Sequence, residues 1–137
     1  MGRRPRGIGF LPDGSRAYVA CEIPGEVYVL DVARGRVLAV IKAGNFANGI
    51  AVRPDGKQVY VSNGRDGTVS AIDTATNRIV ATIATGARPW NMAITPDGRK
   101  LYVANGRAGN VSVIDIATHA KLGDIPVGRL PWGVIIR

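Results

Sequence analysis

Few residues in this sequence are equipped for bond-making chemistry. His119 is the only histidine and Cys21 the only cysteine. A general base needs a positioned partner, and a structural zinc site needs a set of thiolate and imidazole ligands. One residue of each type supplies neither, so the sequence predicts no catalytic residue, no metal and no cofactor. His119 follows "IDIAT" and reads as a turn residue. Cys21 has no neighbouring lysine or histidine to lower its pKa, so it reads as an inert buried thiol. "GIG" at 7–9 heads a strand-like run and is followed by no helix that could receive a phosphate. Ser62, Ser70 and Ser112 also fall in strand-like runs, with no base in view. The glycosylation-like triplet Asn110-Val111-Ser112 has "TVS" as its counterpart at 68–70, which marks it as repeat grammar.

Arginine and tryptophan carry the remaining signal. Fourteen of eighteen basic residues are arginine, and ten acids leave a formal charge of +8. Such an excess favours anionic partners, nucleic acid among them. Arg65 and Arg107 stand in "NGRDG" and "NGRAG", and Arg88 and Arg129 in "TGARPWN" and "VGRLPW" beside Trp90 and Trp132. Guanidinium groups next to flat aromatic rings suit phosphate pairing and base stacking. The competing expectation is that both tryptophans are wedged between neighbouring structural units.

The elements that position these residues follow from a strict repeat. "PDG" occurs at 12–14, 54–56 and 96–98, and Tyr18, Tyr60 and Tyr102 keep the same interval of 42. So do Asp31, Asp73 and Asp115, and then Gly44, Gly86 and Gly128. Segments 45–86 and 87–128 share 18 identities in 42 positions without a gap. Each copy contains short runs rich in valine, isoleucine and tyrosine, separated by turn residues at roughly ten-residue spacing. The links are too short for anything but antiparallel hairpins. Asp13, Asp55 and Asp97, like Asp31, Asp73 and Asp115, sit where a carboxylate accepts backbone N–H bonds from its own turn. Four antiparallel strands in about 42 residues make one propeller blade, which hides its apolar faces only by stacking on neighbours. The expectation is an all-β, partial β-propeller with blades at 3–44, 45–86 and 87–128, and the first strand of a further blade at 129–137.

The repeats resemble a known family. "YVSN" (60–63) and "YVAN" (102–105), followed by "TVSAIDTATNRIVATI" and "NVSVIDIATHAKLGDI", are similar to the YVTN family of β-propeller repeats. The first copy departs, with "YVACEIPGE" replacing the "NGR" loop and bringing in Glu22 and Glu26. The resemblance implies a bacterial or archaeal propeller that is periplasmic, secreted or at the cell surface. No apolar run approaches the ~20 residues of a membrane helix, and "MGRRPRGIGFLPDG" lacks the apolar core of an export signal.

In a meandering blade, alternate turns fall on one face of the disc. The "PDG" turns then share a face of balanced charge. Arg65, Arg88, Arg107, Arg129, Trp90 and Trp132 gather on the opposite one. The sequence therefore predicts a non-enzymatic binding scaffold whose arginine face takes an anionic ligand or a protein partner. The alternative is a fragment of a propeller enzyme or redox partner whose catalytic groups lie in blades outside this chain. Either missing blades or self-association is expected to cover the exposed blade faces.

Overall fold

The computed structural model describes residues 2–137, and twelve strands account for its regular structure. β1 (Arg3–Phe10), β2 (Arg16–Ile23), β3 (Glu26–Asp31) and β4 (Arg36–Lys42) form the first sheet. The second contains β5 (Ala47–Val52), β6 (Gln58–Asn63), β7 (Thr68–Asp73) and β8 (Arg78–Ala84). The third contains β9 (Pro89–Ile94), β10 (Lys100–Asn105), β11 (Asn110–Asp115) and β12 (Lys121–Pro126). Every pairing is antiparallel and joins consecutive strands, so each sheet is a simple meander. There is no helix among the described residues. The fold is a β-propeller, here as three stacked blades.

Turn chemistry sets the hairpins. In the "PDG" turns the Gly14 and Gly98 N–H groups reach back to the Leu11 and Thr95 carbonyls at 2.8 Å, with both glycines near φ +70°. Asp13 and Asp97 accept the N–H groups of Ser15 (2.9 Å) and Arg99 (3.0 Å). Asp31 and Asp115 do the same for Arg34 (3.0 Å) and Thr118 (2.9 Å) after the third strands. These carboxylates are turn closures, as their recurrence implied.

The core lies between sheets and not within any one of them. Tyr18, Val27 and Val29 of the first blade meet Val59, Val61 and Ile72 of the second. Tyr60, Val69 and Ala71 of the second meet Leu101, Val103 and Ile114 of the third. Each buried tyrosine also reaches the next blade's outer turn. The Tyr18 hydroxyl donates to Asn77 Oδ1 at 3.0 Å, and the Tyr60 ring meets His119 edge-on at 6.3 Å. Tyr18 and Tyr60 are wholly buried, whereas Tyr102, with no blade beyond it, is partly exposed. The two end faces are open. Ile8 and Phe10 on one, and Leu122 and Ile125 at the other end of the stack, are about half exposed.

Residues 129–137, expected as the first strand of a further blade, form no ladder. The segment still lies beside β9, where a Cβ on Gly133 would be 3.5 Å from the Asn91 side chain.

Candidate functional site

The innermost strands of the blades approach almost backbone to backbone. A Cβ on Gly7 would lie 2.4 Å from the Asn48 carbonyl oxygen, and one on Gly49 would lie 2.3 Å from that of Trp90. Each of these strands also loses register at the same point. Pro5 pairs with Cys21 and Gly7 with Ala20, which leaves Arg6 surplus. Ala47 pairs with Asn63 and Ile50 with Val61, and Pro89 pairs with Asn105 and Met92 with Val103. A bulge of this kind re-aims a side chain out of the sheet's alternation. The re-aimed residues Arg6, Asn48 and Trp90 are 42 apart, and Trp132 continues the series. All four line one pocket of about 470 Å³ on the inner edge of the blades, together with Glu22 and Arg88.

Glu22 is the acid of that pocket. It is only 6% exposed, and its Oε2 accepts from Arg6 Nε at 2.8 Å, with Arg4 Nε at 3.4 Å. Among the described residues no hydrogen bond uses Oε1. At the corresponding places the other blades have Gly64 and Gly106. The space a side chain would take at Gly106 is filled by the Trp90 ring, 2.3 Å from where a Cβ would sit.

The arginines predicted to share a face do converge. Arg65, Arg88 and Arg107 line a cleft of about 300 Å³ between the second and third blades. Arg65 lies over the Phe46 ring at 4.1 Å and Arg88 at 5.2 Å. Arg107 also borders a neighbouring hollow with Arg129. Trp90 and Trp132 stack on each other, with ring centres 4.3 Å apart and planes inclined by 19°. Trp90 is half-buried, its ring over Gly106, and Trp132 is 70% exposed. On the opposite face, Arg53 is paired with Asp55 at 3.2 Å.

Hydroxyls and lone residues are committed elsewhere. Ser62 accepts from Gly49 N–H (2.8 Å) and donates to the Trp90 carbonyl, which ties two innermost strands together. Ser70 and Ser112 accept from Asn63 (2.9 Å) and Asn105 (2.8 Å). Cys21 is wholly buried, and burial pushes its thiol pKa up. His119 packs against Tyr60.

Fold and pocket together place the chain among β-propellers. Residues 1–127 match the family described as Lactonase, 7-bladed beta-propeller, and the chain belongs to that family. A solved structure from Bacteroides fragilis, assigned as a 6-phosphogluconolactonase, is 30% identical, with a TM-score of 0.83. That match covers 94% of this chain and 41% of the other. Hydrazine synthase from Kuenenia stuttgartiensis is 27% identical with a TM-score of 0.91, over 94% of this chain and 38% of that one. The RRP9 WD40 repeats share the fold at 18% identity and a TM-score of 0.81, over 91% of this chain and 40% of theirs. The chain thus spans about two fifths of these solved proteins. No curated protein is similar enough to count as a match.

Membership of a lactonase family overturns the expectation of a non-enzymatic scaffold. The physical reason is that a propeller gathers its pocket from several blades at once, so no local motif announces it. Arg6, Glu22 and Asn48 were missed for this reason. The signal that would have found them is the phase position 6, 48, 90 and 132, which reads Arg, Asn, Trp, Trp inside an otherwise regular repeat.

Proposed function

We propose that this chain is three blades of a seven-bladed, lactonase-type hydrolase that receives an anionic lactone in the pocket at the inner edge of its blades. The observation that carries the proposal is a buried carboxylate, Glu22, held by Arg6 at 2.8 Å in a pocket that also contains Arg88. Hydrolysis adds water across the ring ester. Glu22 takes a proton from the attacking water through Oε1, and the proton returns to the ring oxygen as the C–O bond breaks. Arg88 faces the charge that develops on the carbonyl oxygen. The stacked tryptophans offer the substrate an apolar wall. The YVTN-like segments are the blade grammar of this propeller.

The remaining blades cover the open ends. Ile8 and Phe10 occupy the places that Ile50 and Val52 hold in the second blade, where they pack against the first. The test is hydrolysis of 6-phosphogluconolactone by the complete protein. Glu22→Gln is expected to lower kcat by about 10²–10⁴-fold. Unchanged kcat would remove Glu22 from the reaction.

A further inference from the structure

We infer that the cleft between the second and third blades is a second anion site, built for a phosphate dianion. Three arginines line it, Arg65, Arg88 and Arg107, and the only acidic residue beside them is Asp66. Both oxygens of Asp66 are already engaged, accepting the N–H and the side-chain amide of Asn45 at 2.8 Å each. Among the described residues none of the three arginines is paired with a carboxylate. Three positive charges less one negative leave the cleft at +2, which matches a dianion.

Two of the three arginines are also held in place before any ligand arrives. Arg65 and Arg88 both rest on the Phe46 ring, at 4.1 Å and 5.2 Å. Cation–π contact attracts each of them, but it brings two like charges together on one ring. A bound dianion relieves that repulsion and accepts forked N–H donors, the geometry in which guanidinium excels. The cleft shares only Arg88 with the Glu22 pocket. The phosphate is therefore either free or carried on a ligand whose remainder extends toward that pocket.

Binding of inorganic phosphate and of glycerol phosphate, followed by calorimetry, tests the site. Arg65→Ala and Arg107→Ala are each expected to weaken binding at least tenfold, with Arg65→Lys recovering only part of it. Arg6→Ala and Glu22→Gln should leave it unchanged, which separates this site from the proposed hydrolytic one. Glycerol phosphate should bind about tenfold more weakly at pH 5 than at neutral pH, because its second ionisation lies near 6. Tighter binding of glycerol phosphate than of free phosphate assigns the site to phosphomonoesters, and equal binding assigns it to phosphate itself. Affinity that ignores Arg65 and Arg107, or that falls in Arg6→Ala, would overturn the assignment. So would a single-stranded oligonucleotide that binds far more tightly and gains further from Arg129 and Trp132.

Discussion

At the end of their second strands, blades 2 and 3 place Asn63 and Asn105, while blade 1 places Cys21. Asn105 donates to Asn110 and Ser112 at 2.8 Å and accepts the Gly86 N–H at 3.2 Å. One side chain thereby fixes its own hairpin and the link from the preceding blade. Asn63 makes the matching pair of donor contacts, to Thr68 at 3.1 Å and Ser70 at 2.9 Å. Blade 1 has no such network. Cys21 fills the space as a small apolar group, and Glu26 and Tyr28, standing where the second blade has Thr68 and Ser70 and the third Asn110 and Ser112, bond to each other at 3.0 Å. The following residue is Glu22 instead of glycine, and it enters the pocket. The acidic side chain of the pocket thus comes from the blade that has left the common pattern, and the asparagine networks from the blades that keep it.

The largest effect that would sharpen this contrast is at Asn105. Asn105→Ala removes three hydrogen bonds from a wholly buried position and should destabilise the protein by about 3 kcal/mol, whereas Cys21→Ala should cost about 1 kcal/mol. Denaturant unfolding of the two variants checks it, and equal losses would erase the distinction. Next comes the glycine that follows. Gly106→Ala must displace the Trp90 ring and should cost about 1–3 kcal/mol, with a change in tryptophan fluorescence as the stack on Trp132 opens. Gly64→Ala meets nothing closer than 3.4 Å and should be nearly silent in both measurements.

The smallest effect concerns what the blades have in common. The backbone N–H and side chain of Arg34 hold the Asp31 carboxyl below its usual value of 3.8, and the N–H and hydroxyl of Thr118 do so for Asp115. A carboxyl with a lowered folded pKa contributes stability that is complete above about 3.8 and is lost as pH falls through the folded value. Asp31→Asn and Asp115→Asn should therefore each flatten the fall in melting temperature below about pH 4, by similar amounts. A response confined to one of the two would show that blade 1 departs from the pattern at its turns as well.

These comparisons also show which parts of the molecule could be read from its residues. The 42-residue phase carries the strands, the turn aspartates and the shared face of Arg65, Arg88 and Arg107, because each depends on local chemistry repeated in step. The Glu22 pocket was not legible. Its walls come from bulged residues in different blades, and alternation along a strand points Arg6 and Asn48 the wrong way once the register shifts. The Trp90–Trp132 stack escaped for a related reason, since the two rings meet across a gap of 42 residues. The depth of Tyr102 is likewise set by whether another blade follows, which no residue within its own blade encodes.

The recurring bulge has a consequence for how such proteins diversify. It gives every blade one inward position whose identity the ladder does not dictate, as Arg6, Asn48 and Trp90 illustrate. A closed ring with one such address per blade can be re-lettered singly, without disturbing the packing that keeps it shut. New specificities can then arise by point changes at known coordinates, with the surrounding architecture left untouched.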